Sequence, residues 1–212
     1  MQPSRVVGLR GPRIVSFLVV FCCLPLSAAS GQSLNERVAA QPLPYTMVQG
    51  IYRNYTYGFE VKIPKGLVGL ANPPGSPDHG LEIPLEVLHT TGINIFASYN
   101  ALQRESAKEV WETDELHAIE DSSAGTRVLT ENAVRLCGWN SIQAVVEYTR
   151  DSRSPLRKDE VVVALDHSPD EASRESVGRV YILRLQSTSD RFNNDRKWFE
   201  EVVKSFQCFD AK

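Results

Sequence analysis

The first thirty residues limit what the rest of the chain can fold into, because they decide which cysteines the folded protein keeps. Three arginines precede an apolar run from Ile14 to Leu26, and small residues follow at positions 27–31. This order predicts a secretory signal peptide over residues 1–29. The run is shorter than the roughly twenty apolar residues that cross a bilayer as a helix, so we expect cleavage and not anchoring.

Cleavage removes Cys22 and Cys23 and leaves Cys137 and Cys208. Two cysteines in an oxidising compartment predict one disulfide between them. Its loop of about seventy residues would stabilise the fold by roughly 4 kcal/mol. A catalytic thiol at Cys137 is the alternative, but no histidine at a defined spacing supports it. We therefore expect a secreted or periplasmic protein with a structural disulfide.

The charge pattern argues against nucleic acid as a partner. The formal net charge of −3 becomes −6 when the three arginines of the signal peptide are removed. The densest basic run, Arg150, Arg153, Arg157 and Lys158, is interrupted by Asp151 and is predicted to be a solvated hairpin loop. No later segment has the length of a membrane span without charges, so we expect no span after cleavage.

Composition and patterning divide the remaining chain into a linker over residues 30–44 and a single domain over residues 45–212. Phe59, Val61 and Ile63 alternate with charged residues, which predicts a half-buried strand. The second half has a run of strand signals at residues 127–130, 133–137, 141–150, 160–166 and 179–186. Their spacing indicates an antiparallel meander.

Two helices are predicted to cover this sheet. A capping box formed by Ser106 and Glu109 begins the first helix. The second helix runs from near Asp190 to about Phe206, with apolar residues at helical spacing. The predicted fold class is α+β: an antiparallel sheet that is covered on one face by the C-terminal helix and also by the helix that begins at Ser106.

Few residues qualify as a site. Asp78 and His79 lie in a proline-stiffened loop, and Tyr99 and Asn100 follow an apolar strand, so these four are the candidate ligand-binding residues. The histidines form no metal-ligand spacing with one another. We therefore assign no metal site, no cofactor and no catalytic residue.

Two segments resemble the PsbP-like α/β domain: residues 54–67, and the ending from Val180 to Phe206. In that family a tyrosine, a short turn, a glycine and an aromatic residue open a strand that a proline ends. A late strand then leads into a closing helix that ends near a Ser-Phe pair, here Ser205 and Phe206. The resemblance covers about residues 50–207 and implies a non-enzymatic accessory or binding protein. No functional residue is carried over from it.

The sequence thus favours an exported, non-enzymatic binding or accessory protein of unknown ligand, with a protein partner in the cell envelope. One alternative is a secreted hydrolase or metal-dependent enzyme that uses the region of His79 and His167. Another is a structural envelope component that docks a protein partner through a sheet edge or the proline-rich loop. The oligomeric state stays open.

Overall fold

The computed structural model describes residues 45–71, 80–86, 90–167 and 178–209. The helical segments are α1 (Ala107–Val110), a π-helical turn (Trp111–Leu116), α2 (His117–Asp121) and α3 (Phe192–Ser205). The strands are β1 (Thr46–Val48), β2 (Ile51–Asn54), β3 (Phe59–Lys62), β4 (Gly69–Ala71), β5 (Gly80–Pro84), β6 (Gly92–Tyr99), β7 (Ala124–Leu136), β8 (Trp139–Thr149), β9 (Arg157–Asp166), β10 (Arg179–Thr188) and β11 (Gln207–Cys208).

The described strands form two antiparallel sheets. The large sheet has eight strands in the order β1-β4-β5-β6-β10-β9-β8-β7. The small sheet has three strands in the order β11-β3-β2. Phe59 of β3 lies opposite Cys208 of β11, so the beginning and the end of the described chain meet in one sheet.

Apolar side chains are buried on both faces of the large sheet. Along β9, Val162 and Ala164 pack in one cluster with α3, whereas Val161 and Val163 pack in a second cluster with residues 107–121. Because neighbouring side chains of a strand point to opposite faces, the two clusters lie on opposite sides of β9. The central strands are therefore sandwiched between two helical layers.

The predicted antiparallel α+β fold with a C-terminal helix is confirmed. Phe199 and Val202 of α3 are completely buried, as its apolar spacing indicates. The helix at Ser106 is also present, but it packs on the face opposite α3. The sequence contains one sign that both faces of the sheet are covered. Val145 interrupts the otherwise polar side of β8, and this side also packs against a core.

The predicted start of the helix at Ser106 is only partly a capping box. Ser106 Oγ accepts a hydrogen bond from the backbone nitrogen of Glu109 at 3.1 Å. Glu109 Oε2 accepts from the backbone nitrogen of Glu105 at 2.8 Å, one residue before the donor that a capping box uses. The helical run then continues through the π-helical turn and ends at Asp121.

The prediction that the basic run forms a solvated loop is wrong for two of its members. Arg157 and Lys158 belong to β9, and Arg157 is buried, with Nη2 donating to the backbone oxygen of Thr90 at 2.6 Å. Only the part of the run up to Arg153 lies between β8 and β9. The hydrogen bond to a carbonyl of a distant segment offsets part of the cost of burying Arg157. The sequence does not reveal that contact.

The predicted disulfide between Cys137 and Cys208 is confirmed. Cys137 and Gly138 form the two-residue connection between β7 and β8, and both have positive φ, at 52° and 86°. Positive φ at both positions is the pattern of a type I′ hairpin turn. The bond therefore links this turn to β11, beyond the end of α3.

Candidate binding site

A polar cavity lies between α2 and the end of β8, and we call it the Arg184 cavity. Its volume is about 270 Å³. One wall comes from the end of the helical run and the other from three neighbouring strands of the large sheet. The lining residues are Ala118, Ile119, Ser122, Tyr148, Arg150, Asp159, Arg184 and Gln186.

Strand register brings the polar residues of this cavity together. Asp159 of β9 lies directly opposite Gln186 of β10, and Arg184 is two residues from Gln186. Tyr148 of β8 is paired with Arg157, two residues from Asp159. Directly opposed residues and residues two apart share a face of a sheet. All four cavity side chains therefore point toward the helical layer of residues 107–121.

Asp159 is a fully buried carboxylate at the back of the cavity. The hydroxyl of Tyr148 donates to it and lies 3.1 Å from both carboxylate oxygens. Gln186 Nε2 donates to Asp159 Oδ2 at 3.5 Å. Arg184 Nε forms an ion pair with the same oxygen at 3.4 Å. The cationic partner and the hydrogen-bond donors offset part of the desolvation penalty of this buried charge.

A second carboxylate holds the other side of Arg184. Glu115, from the π-helical turn, has Oε2 at 3.7 Å from Arg184 Nη2. Neither Nε nor Nη2 of Arg184 makes a hydrogen bond, so both contacts are ion pairs only. The guanidinium is thus fixed between two carboxylates on different layers of the fold.

Burial dominates the electrostatics of the two carboxylates. It raises the pKa of Asp159 above the ordinary value, against the opposing effects of Arg184, Tyr148, Arg157 and Gln186. It also raises the pKa of Glu115, although Arg184 again opposes the shift. Burial and the nearby Asp159 charge raise the pKa of the Tyr148 hydroxyl. Functional sites and structural ion-pair groups both shift pKa values in this way, and the position of these carboxyls beside a cavity makes it a candidate site.

The raised pKa of Asp159 gives a testable pH dependence. A group that binds its proton more tightly in the folded state contributes stability that is full below the unfolded-state pKa, near 3.8, and is lost as pH rises through the folded-state pKa. We therefore expect the free energy of unfolding of the wild type, minus that of Asp159→Asn, to fall as pH rises. Urea unfolding of both proteins from about pH 4 to about pH 7 measures this difference. A difference that stays constant over that range would contradict the prediction.

Two further donors border the cavity. Arg150 lies at the exposed rim after β8, and no described residue accepts a hydrogen bond or forms an ion pair with it. Ser122 follows α2 and donates to the backbone oxygen of Ala118 at 2.7 Å. Arg184 keeps 18% of its side chain exposed, because its Nε and Nη2 atoms are buried against the carboxylates. The groups that a ligand meets first are therefore mainly cationic.

The predicted ligand-binding residues Tyr99 and Asn100 lie at the opposite end of the large sheet. Asn100 accepts from the backbone nitrogen of Arg104 at 2.8 Å and donates to its carbonyl at 2.9 Å. The ring of Tyr99 is 5.3 Å from that of Tyr57. Asn100 thus closes a local turn, and the two residues do not border the Arg184 cavity. Their role in ligand binding stays a prediction.

Two of the four histidines lie outside the described residues, and the other two, His117 and His167, are exposed. His79 lies outside the described residues, as does its neighbour Asp78, and so does His89. His167 is exposed at the end of β9 and borders a second cavity of about 370 Å³ together with Trp139. Within the described ranges, no three His, Cys, Asp or Glu side chains are grouped so that they could hold a metal ion.

The sequence alone does not single out the cavity residues. Asp159 follows a basic run and is easily assigned to a solvated loop, while Tyr148 and Arg184 occur in strands that are recognised only by alternation. The available signal is the position of Arg184, which interrupts the apolar strand from Val180 to Leu185. A charged residue inside such a strand needs a buried partner, and Asp159 is that partner.

Comparisons with known proteins identify the fold. No protein-family model and no curated protein sequence matches the chain. Cyanobacterial PsbP (CyanoP) of Synechocystis is similar at a TM-score of 0.53 and 16% identity, over 80% of this chain and 96% of that chain. The fold is PsbP-like.

Two other solved structures share it. LpqN, which is involved in cell envelope biogenesis of Mycobacterium tuberculosis, has a TM-score of 0.52 and 12% identity, over 83% of this chain and 96% of that chain. The Ran-binding protein Mog1p of Saccharomyces cerevisiae has a TM-score of 0.50 and 13% identity, over 78% and 97%. Identities this low carry the PsbP-like fold and no functional residue.

In the described part of the chain, no helix combines the length and apolar character that crossing a bilayer requires.

Proposed function

We propose that the protein is an exported, non-enzymatic binding or accessory protein that holds a small ligand in the Arg184 cavity. The observation that carries this proposal is the arrangement of Arg184, a guanidinium fixed between Asp159 and Glu115 at the back of a concave site. Charged groups that are positioned before a ligand arrives lower the ordering cost of binding. Concave sites with a few convergent polar groups are the usual places where small molecules bind.

The bonding of the cavity favours binding over catalysis. The Tyr148 hydroxyl donates to Asp159, and the Ser122 hydroxyl donates to a backbone carbonyl. The Ser122 hydroxyl has no base among the described residues that would activate it as a nucleophile, and burial raises the pKa of the Tyr148 hydroxyl, which disfavours its ionisation. Arg184 and Arg150 can recognise a ligand through charge and hydrogen bonds without taking part in proton transfer, since guanidinium stays protonated.

Export is supported from two sides. Residues 1–29 have the pattern of a secretory signal peptide. The bond between Cys137 and Cys208 is the kind of link that persists in oxidising compartments and is rare in the cytosol. The likeness to LpqN, a protein of cell envelope biogenesis, is compatible with an accessory role in the envelope.

A ligand screen with a blocked cavity tests this proposal. The purified protein is heated with a panel of small carboxylates, phosphates, amines and sugars, beside the variants Ser122→Phe and Asp121→Phe. Ser122 borders the cavity, and its exposed neighbour Asp121 does not. A ligand at a hundred times its Kd adds about 2.7 kcal/mol to stability, so the melting temperature of the wild type and of Asp121→Phe should rise.

Ser122→Phe should melt at the same temperature with and without that ligand. A rise of equal size in all three proteins would place the ligand elsewhere and contradict the proposal. A panel without any stabilising compound would contradict it as well.

A specific observation favours a second role, the docking of a protein partner in the cell envelope. Strand β7 is thirteen residues long, ends the large sheet, and is exposed along nearly its whole length. Within the described chain, its outer edge pairs with no strand. Val128 and Leu129 add two exposed apolar side chains. Such an edge can accept an extended segment of another protein as an additional strand.

Site-specific photocrosslinking tests this second role. A photoreactive residue at Asn132 of β7 is expected to form a discrete adduct with one envelope protein, because it lies within the exposed edge strand. The same group at Met47, exposed on β1 at the other edge, is the control. Identical adducts from both positions, or none from Asn132, would contradict docking at β7.

A further inference from the structure

We propose that the ligand of the Arg184 cavity is a small organic monocarboxylate. This inference rests on the proposed function, since it names the ligand class of the same site. The argument uses three properties of the cavity: the sign of the charges that a ligand meets, the negative charges behind them, and the apolar part of the wall.

The accessible charges of the cavity are positive. Arg150 stands at the rim without a described partner, and Arg184 presents the exposed 18% of its side chain. Asp159 lines the back of the cavity but is fully buried, so it is less accessible to a ligand than the two arginines are. A planar guanidinium matches a carboxylate with two parallel hydrogen bonds, whereas an ammonium ligand would meet like charge at both arginines.

The buried carboxylates limit how much negative charge the cavity accepts. Asp159 and Glu115 lie 3.4 Å and 3.7 Å from Arg184 nitrogens, and when both are ionised they more than balance its single positive charge. A ligand with one negative charge can be balanced by the single positive charge of Arg150. A doubly charged phosphate would bring two charges close to two buried carboxylates, which is unfavourable at low dielectric. The arrangement therefore selects a monoanion.

The helical wall gives the cavity an apolar side. Ala118 and Ile119 line it, and Ile119 belongs to the buried cluster below α2. Burial of each methylene group on such a wall contributes about 0.8 kcal/mol. A volume of about 270 Å³ accommodates a short hydrocarbon chain together with the carboxylate. An organic acid of a few carbons fits both the charged and the apolar parts of the cavity.

The test compares four probes of similar size: butanoate, its neutral analogue butanamide, n-butylammonium and inorganic phosphate. Titration of the purified protein, followed by amide chemical shifts, should give saturable binding of butanoate with a Kd on the order of millimolar. Butanamide, n-butylammonium and phosphate should bind at least about tenfold more weakly, since each lacks the single negative charge or the apolar chain.

A matched pair of arginine variants locates the site. Arg150→Gln should weaken butanoate binding about tenfold, because a hydrogen bond to a charged group is lost. Arg153→Gln removes an exposed arginine from the same turn that does not border the cavity, so it should leave the Kd unchanged. If both variants weakened butanoate binding equally, the effect would come from the overall charge of the protein and not from the cavity. That result would overturn the assignment of the site.

Failure of this inference and failure of the proposed function have different signatures. If butanamide or n-butylammonium binds as well as butanoate and Ser122→Phe abolishes that binding, the cavity is a binding site and the ligand class is wrong. If phosphate binds more tightly than butanoate, the selection of a monoanion is wrong. If Ser122→Phe binds butanoate as well as the wild type does, the cavity does not hold the ligand and both proposals fall.

Discussion

Arg184→Met is expected to lower the free energy of unfolding by about 3 kcal/mol, because removal of one partner from a buried ion-pair group leaves an uncompensated charge. Methionine fills the space of the arginine stem and keeps its apolar contacts, so the loss reports mainly on charge. Asp159 then stays fully buried with only Tyr148 and Gln186 as donors, and Glu115 has lost its cation. Urea unfolding at neutral pH measures the change.

Two comparisons separate this effect from a general cost of replacing an arginine. Arg127→Met removes an exposed arginine of β7 that is 2.8 Å from Glu147, and such surface pairs contribute only about 0–1 kcal/mol. Adding Asp159→Asn to Arg184→Met removes the stranded charge and should restore part of the lost stability. If Arg184→Met and Arg127→Met were equally stable, the ion-pair group would have no special role.

Replacement of both Cys137 and Cys208 by serine is expected to lower the free energy of unfolding by about 4 kcal/mol, since the bond closes a loop across a sequence separation of 71 residues. The bond links the turn between β7 and β8 to β11, which has only two residues and one neighbouring strand. Unfolding in guanidinium chloride of the oxidised wild type and of the double variant gives the difference.

A reducing agent supplies the control for this experiment. It should bring the wild type close to the stability of the double serine variant and leave the variant unchanged. A wild-type midpoint that does not respond to complete reduction, verified by mass, would contradict a stabilising role for the bond. We also expect amide exchange to rise first in β11, because this two-residue strand has only β3 as a neighbouring strand.

Local patterns were sufficient for much of this fold. Alternation at Phe59, Val61 and Ile63 identified β3, and helical spacing at Phe199 and Val202 identified α3, because each pattern reports burial of one face. The disulfide followed from the count of cysteines that remain after residues 1–29. These inferences need no knowledge of which strands become neighbours.

Pairing between distant segments set the features that the sequence did not reveal. The site depends on a register that places Asp159 opposite Gln186 and puts Arg184 on the same face. A charge at that point of the chain looks the same in a solvated loop and in a buried ion pair. Coverage of both sheet faces is likewise a property of the assembled layers, and only Val145 hinted at it. Local periodicity therefore does not predict which charged residues from distant segments form buried ion pairs.

The meeting of β3 and β11 has a consequence for how the chain matures. Phe59 of β3 is fully buried, and its pairing with Cys208 joins segments that lie far apart in the chain. Until β11 is in place, the aromatic strand β3 lacks its second neighbour, and contacts of such sequence separation form slowly. Partly folded chains in which β3 lacks this neighbour have an unpaired strand edge, which makes such species prone to aggregation. The small sheet therefore forms only when these distant segments meet.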